Sequence, residues 1–249
     1  MRNLWTIARR EYRHYFTSPI AYIVALVTLF TIGIFFIINI FYYSQQSYSY
    51  GGSGPDISII LGPMATIFLL AFPALTMRLL ADEQRMGTLE LLLTAPVRDW
   101  ELVVGKWLGS FLFALSIIGI SLIFPMILNV LTSGGIDQGL LLSGYLAIIL
   151  LSAVFLAIGV AISSFFSNQF AAFFATLAVL LLLWWLIRLP TYVLPAGTVS
   201  NIFTYLSINT RFSDMIGGVV TLADVVYSLS LTALGLFLGT ITVEMRRWR

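Results

Sequence analysis

Long apolar runs constrain this chain more than any other feature of its sequence. Crossing a bilayer takes about 20 residues, and backbone polar groups in the hydrocarbon must be satisfied within their own helix. The chain therefore predicts an all-α integral membrane protein, residues 1–249 forming one transmembrane domain. The six apolar runs, each read as a transmembrane helix, are Ile20–Tyr43, Ile57–Leu80, Leu102–Leu131, Leu140–Ser163, Phe170–Leu189 and Leu222–Val243.

Composition supports the same class. The 249 residues are 59% hydrophobic and only 10% charged, with a mean hydropathy of +0.98, which lies well outside the range of soluble domains. The chain has no cysteine, which excludes disulfides and thiolate metal sites.

The basic residues predict the orientation. With six crossings, 11 of the 13 Lys and Arg residues fall on one side, and only Arg188 and Arg211 fall on the other. The positive-inside rule then places both termini and the segment Ala81–Glu101 in the cytoplasm.

Residues 1–19 predict an amphipathic helix lying in the headgroup layer. Its apolar face and its cationic face lie on opposite sides of a helical wheel. The apolar face holds Leu4, Trp5, Ile7, Ala8, Tyr12, Tyr15 and Phe16, and the other holds Arg2, Thr6, Arg9, Arg10, Arg13 and His14.

Glu11 departs from this pattern because it falls within the apolar sector. The favoured interpretation is a carboxylate that snorkels or pairs with a nearby arginine. The alternative is a buried contact with another helix or with a partner subunit. His14, the only histidine, lies on the cationic face, where a role as metal ligand or base is not expected.

The connections between crossings differ in length. Ser44–Asp56 predicts a polar loop and Thr132–Gly139 a short turn. Pro190–Thr221 contains prolines, glycines and apolar stretches, and it predicts one or two short extracytoplasmic helices between the fifth and sixth crossings.

Catalytic patterns are missing from the sequence. One histidine cannot form a two-histidine zinc site, and there is no GxxxxGK[ST] loop for ATP. We therefore expect no enzyme activity, no metal site, no directly bound cofactor and no nucleic-acid partner.

Uncharged polar residues within the crossings are candidates for lining a pathway or for packing: Asn39, Asn129, Ser152 and Thr176. Ion-driven carriers usually bury ionisable groups, so the energy for any transport is expected from elsewhere. Two GxxxG pairs, Gly105 with Gly109 and Gly235 with Gly239, favour close packing within the chain; a homodimer seam is the alternative.

The charged segment between the second and third crossings carries a family resemblance. Asp82-Glu83, the run Gly87–Leu92, Pro96 and Gly105-Lys106 follow one another as in the cytoplasmic loop of ABC-2 type transporter permeases, and the chain resembles that family over nearly its whole length. The gliding-motility-type subgroup is the most similar, on the segments Arg10-Glu11, Phe16–Tyr22, Arg211–Ser213, Gly217–Val220 and Glu244–Trp248.

The resemblance implies a subunit of the bacterial inner membrane that pairs with a second permease copy, identical or homologous, and with two cytosolic ATPase subunits that hold ATP and magnesium. It also implies a coupling helix at Gly87–Leu93 that docks on the ATPase. Within it, Leu89, Leu91 and Leu92 would be apolar anchors. The full set of implied coupling residues is Asp82, Glu83, Arg85, Gly87, Thr88, Leu89, Glu90, Leu91, Leu92, Leu93, Pro96 and Arg98.

Other interpretations stay open at this stage. Leu89–Leu93 could instead lie on the bilayer surface. An exporter is the leading function; the alternatives are a mechanical transmitter that acts on an extracytoplasmic accessory subunit, and a channel or receptor without an ATPase.

Overall fold

A computed structural model describes residues 2–50, 56–87, 98–132, 135–193 and 197–247 of the chain. The predicted coupling residues Thr88, Leu89, Glu90, Leu91, Leu92, Leu93 and Pro96 lie outside these ranges. The described helices are α1 (Arg2–Tyr15), α2 (Pro19–Tyr50), α3 (Ser58–Thr76), α4 (Ala81–Arg85), α5 (Asp99–Ser121), α6 (Ile123–Leu131), α7 (Gln138–Phe165), α8 (Gln169–Trp184), α9 (Leu189–Val193), α10 (Thr198–Leu206), α11 (Ile208–Ile216) and α12 (Leu222–Arg247).

The prediction of an all-α protein with six membrane-crossing helices is confirmed. Within the described ranges, six helical segments are long and apolar enough to cross a bilayer. They are Pro19–Gln45, Ser58–Arg85, Asp99–Leu131, Gln138–Phe165, Gln169–Thr191 and Leu222–Arg246.

Helix boundaries differ from the prediction in several places, and two of these differences have a clear physical reason. α2 continues to Tyr50, so Ser44–Tyr50 is helical rather than part of a loop. Glutamine and serine are tolerated in a helix, and the adjacent glycines Gly51 and Gly52 come only after Tyr50. The third crossing is divided at Leu122, because Pro125 has no N–H to donate to the carbonyl of Ser121 four residues earlier.

α7 is the central helix of the bundle. Most of its residues are buried, and α3, α5, α8, α11 and α12 all pack against it. Gly235 of α12 lies against the backbone of Ala157, where an added Cβ would come within 3.0 Å of the Ala157 carbonyl. Gly239 likewise faces Ala161. The interpretation of this glycine pair as packing within the chain is confirmed.

The positive charges are segregated along the bundle. Lys106, Arg78 and Arg246 lie at the end that also holds α1 and α4, which we call the basic end. Arg188 and Arg211 lie at the opposite end, among the short helices α9–α11.

Candidate functional site

α1 packs directly on α5 at the basic end. Gly105 and Gly109 make this close contact possible. A Cβ added to Gly105 would lie 2.8 Å from the side chain of Ile7, and a Cβ added to Gly109 would lie 2.9 Å from the carbonyl oxygen of Ala8. This glycine pair is therefore also a packing site within the chain. One apolar face of α1 contacts protein, although Trp5 remains 55% exposed.

Aromatic contacts extend the α1–α5 interface. The ring of Tyr15 stacks on Phe113 with centroids 4.9 Å apart, and Tyr12 shares a 3.0 Å hydrogen bond with Ser116. The Tyr15 hydroxyl donates to the carbonyl of Leu75 in α3. Burial raises the pKa of Tyr15, so this hydroxyl stays protonated and keeps its role as a donor.

A buried ionic cluster joins three helices at this end. Lys106 of α5 is the only lysine in the chain. Its Nζ lies 3.0 Å from Oε1 of Glu11 in α1 and 2.8 Å from Oε1 of Glu83 in α4. The Lys106 side chain is only 4% exposed. We call Glu11, Glu83 and Lys106 the Lys106 cluster.

The favoured interpretation of Glu11 was wrong, and the alternative of a buried interhelical contact is confirmed. The apolar sector of α1 faces α5 rather than lipid alone, so a carboxylate in that sector meets a cation from α5. A signal was present in the sequence. Lys106 falls inside the predicted crossing Leu102–Leu131, and an ionisable residue at such a position usually has a partner.

α4 is held to the ends of α7 and α8 by side-chain hydrogen bonds. The chain turns between α3 and α4, and Ser163 Oγ accepts from the backbone N–H groups of Leu80 and Ala81 at 3.2 and 3.1 Å. Gln84 donates to the carbonyl of Ser164 at 2.8 Å. Gln169 donates to the carboxylate of Asp82. The position of α4 is thus fixed by α7 and α8, and by Lys106 of α5.

The predicted coupling residues that the structure describes differ in their exposure. Glu83 is buried in the Lys106 cluster, so its side chain is not exposed for contact with a partner subunit. Arg85 and Gly87 are exposed, and Gly87 has a φ of +68°, a conformation that favours glycine. Arg98 precedes the first residue of α5, and its backbone N–H donates to the Glu101 carboxylate at 3.2 Å.

The arginines of α1 lie where the cationic face predicts. Arg9, Arg10 and Arg13 are exposed, in contrast to Glu11.

The predicted pathway residues lie on four different helices, α2, α6, α7 and α8. Asn39 donates to the carbonyl of Phe35 in its own helix, and Ser152 to that of Ile148. Asn129 accepts from the N–H of Ile136 and so stabilises the turn after α6. Thr176 is fully buried, and its hydroxyl has no hydrogen-bond partner among the described residues.

A second ionic cluster at the opposite end was not predicted. Arg211 of α11 lies 2.6 Å from the carboxylate of Asp224 at the start of α12. The Thr221 hydroxyl donates to Asp224 at 2.6 Å, and the Arg211 guanidinium lies 4.4 Å from the ring centre of Tyr227. Asp224 is 5% exposed. These contacts hold the short helices of this end to the sixth crossing.

Asp224→Asn should loosen these short helices. The substitution keeps an acceptor for Thr221 but leaves the Arg211 charge without its partner. We expect the free energy of unfolding to fall by about 2–4 kcal/mol, because the pair is mostly buried. Thermal unfolding of the purified chain in detergent measures this. Asp214→Asn is the control, since Asp214 lies on α11 but is exposed, and an equal loss in the two variants would contradict the proposed role of the pair.

Comparison with known proteins identifies the family of this chain. A family model described as "ABC-2 family transporter protein" matches residues 5–245. A search of curated proteins finds no match. The match covers nearly all of α1 and of the six crossings, and it includes both ionic clusters. The family implies a partner ATPase and a lipid bilayer. The chain therefore belongs to the ABC-2 family of transporter proteins, which makes it a multi-pass membrane component of an ABC transporter.

Proposed function

We propose that the chain is the permease subunit of an ATP-driven exporter and that a cytosolic ATPase docks on the segment from Gly87 to Arg98. In the assembly, two permease copies pair with two ATPase subunits, which hold the ATP and magnesium. The basic end then faces the cytoplasm of a bacterial inner membrane, with both termini on that side, as the positive-inside rule favours. Similarity to the gliding-motility-type permeases is part of this proposal.

The observation that carries the proposal is the attachment of both flanks of this segment. On one flank, α4 contacts α5 through Glu83 and Lys106 and contacts α7 through Ser163. On the other flank, the chain continues directly into α5, the helix that also holds α1. A force applied between the two flanks therefore acts on α1, α5 and α7 together.

These contacts are suited to transmitting movement because they are short and buried. Closure of two ATPase subunits on ATP moves rigid elements, and packed interfaces shift as units rather than deform continuously. Movement of the docked segment would rotate or translate α4 and the start of α5. The central helix α7 would follow, because α4 and α5 are both bonded to it: Trp107 of α5 donates to the carbonyl of Ala153.

Leu91→Asp tests the docking directly. An aspartate at an apolar anchor leaves a charge without a partner in the contact, and loss of such an anchor costs about 2 kcal/mol or more. We expect the affinity for the ATPase to fall about 30-fold and permease-stimulated ATP hydrolysis to fall with it. Co-purification with the cognate ATPase, followed by hydrolysis in nanodiscs, measures both.

Three further variants make the test specific. Glu90→Arg should also weaken docking. Leu91→Met preserves an apolar side chain and should keep it, and Glu244→Arg reverses an exposed charge of α12 at the same end and should leave binding unchanged. If Leu91→Asp and Glu90→Arg both bind the ATPase as well as the unmodified chain does, the segment is not the docking site.

Export of a cargo needs its own measurement. Purified complex in vesicles should move an apolar or amphiphilic substrate out of the compartment that holds ATP. ATP hydrolysis that proceeds without transport, and that depends on an extracytoplasmic partner, would favour the mechanical transmitter instead.

A further inference from the structure

A cavity of about 450 Å³ opens at the basic end, between α1, the start of α2 and the α3–α4 turn. Its size is within the range of small-molecule sites, about 300–1,000 Å³. Among the described residues its walls are of two kinds, and the difference between them indicates what it can hold.

One wall is apolar and belongs to the crossings. Ile20 and Ala21 contribute from the first turn of α2, Leu75 from the end of α3 and Leu79 from the α3–α4 turn. This wall starts at the level where α2 enters the apolar layer, since Pro19 is the first residue of that crossing. A ligand lying on it would have its hydrocarbon part next to the acyl chains of the bilayer.

The other wall is cationic. Arg10 and Arg13 of α1 and Arg78 of the α3–α4 turn line it. None of the three guanidinium groups makes an ion pair shorter than 4 Å with a carboxylate in the part of the chain that the structure describes. The lining carboxylates are already engaged: Glu11 and Glu83 with Lys106, and Asp82 with Gln169.

We propose that this cavity binds the phosphate headgroup of an anionic lipid. Guanidinium groups form short, charge-assisted hydrogen bonds with phosphate oxygens, and basic recesses between membrane helices are suited to such headgroups. A free phosphate could use the same arginines but would leave the apolar wall uncovered. An amphiphile uses both walls at once, so the lipid is the occupant that the geometry favours.

Lipid binding at this site requires only the helical bundle of this chain. It therefore does not depend on whether an ATPase docks on the segment from Gly87 to Arg98. The site also adjoins α4, because Glu83 and Met86 belong to its lining. A bound headgroup would therefore contact the same helix that leads into the docking segment.

Native mass spectrometry of the full-length chain in detergent tests the proposal. Phosphatidylglycerol should bind at one site with higher affinity than phosphatidylcholine of the same chain length. An arginine near a lipid surface contributes about 1 kcal/mol, which is about a fivefold change in affinity. Arg13→Gln and Arg78→Gln should each weaken phosphatidylglycerol binding about fivefold, and the double variant about 25-fold.

Arg9→Gln is the matched control, because Arg9 lies on the same helix, is exposed and does not line the cavity. It should leave the high-affinity site unchanged. An equal loss with Arg9→Gln and Arg13→Gln would overturn the proposal, since it would mean attraction to surface charge alone.

Competition separates the lipid from a free anion. Inorganic phosphate and glycerol phosphate should not displace phosphatidylglycerol at concentrations near its dissociation constant. Displacement by either at such concentrations would overturn the lipid proposal in favour of a site for soluble phosphates. Because all the substitutions lie at exposed arginines, thermal unfolding should be the same for each variant and the unmodified chain.

Discussion

Lys106→Met is expected to lower the free energy of unfolding by about 3–5 kcal/mol. Removing one partner of a buried ionic group leaves its counter-charges without compensation, and losses of that size are typical. Here the loss affects two carboxylates, because Glu11 and Glu83 both rely on the same ammonium group. Methionine has a similar volume to lysine, so the change tests the charge rather than the packing.

Unfolding of the purified chain in detergent, by heat or by a denaturing detergent, measures the loss. The chain has one lysine, so labelling with an amine reagent gives an independent measurement: Lys106 should react far more slowly than the terminal amine in the unmodified protein. Loss of the cluster should also free α4 from α5, and permease-stimulated ATP hydrolysis should fall with it.

A charge-neutral variant is the control for this prediction. Combining Lys106→Met with Glu11→Gln and Glu83→Gln removes all three charges and should recover much of the stability, because uncharged groups cost less to bury. It should not recover stimulated hydrolysis if the ionic contact transmits the movement. A single Lys106→Met variant that unfolds within about 1 kcal/mol of the unmodified chain would contradict the role of the cluster.

The six crossings could be predicted from the sequence because their signal is local. Each run of apolar residues carries its own evidence, and no contact with another part of the chain is needed to interpret it. The division of the third crossing was not predicted, although Pro125 indicates it. The long apolar run Leu102–Leu131 favoured a single continuous helix, and one proline was not enough to predict a break.

The Lys106 cluster could not be assembled in the same way. Lys106 and Glu11 are 95 residues apart, and only the packing of α1 on α5 brings them together. The sequence contained both halves of the signal, a carboxylate on an apolar face and a lysine inside a crossing. What it lacked was the α1–α5 contact that joins them. The pair of Arg211 and Asp224 was missed for a similar reason, since the two residues are 13 positions apart and only the packing of α11 against α12 brings them together.

The glycine pair Gly105–Gly109 is intermediate between the crossings, which could be predicted from the sequence, and the Lys106 cluster, which could not. Its spacing predicted close packing, but several helices could have been the neighbour. The structure selects α1, and it thereby gives the spacing a function: the two glycines allow Glu11 to come within 3.0 Å of Lys106.

Gly109→Val is therefore expected to lower the free energy of unfolding by about 3 kcal/mol. An added Cβ at this position would lie 2.6 Å from the Cβ of Glu11 and 2.9 Å from the carbonyl oxygen of Ala8. The backbone of α1 cannot turn aside as a flexible side chain could, so α1 must move away from α5. Overpacking costs about 1–3 kcal/mol, and separation of Glu11 from Lys106 adds to it.

Gly119→Val on the same helix is the control, because no heavy atom of a neighbouring element lies within 4 Å of an added Cβ there. Both variants introduce the same β-branched residue into α5, so their helix propensities cancel in the comparison. Unfolding in detergent should show a loss confined to Gly109→Val.

A cysteine reporter locates the expected movement. The chain has no cysteine, and Ser110 beside the α1 contact is fully buried, so Ser110→Cys introduces one protected thiol. A thiol reagent should label it slowly in the unmodified background and in Gly119→Val, but rapidly in Gly109→Val, where α1 no longer covers it. Equal protection in all three backgrounds would show that α1 stays in place, and the loss of stability would then have to arise within α5 itself.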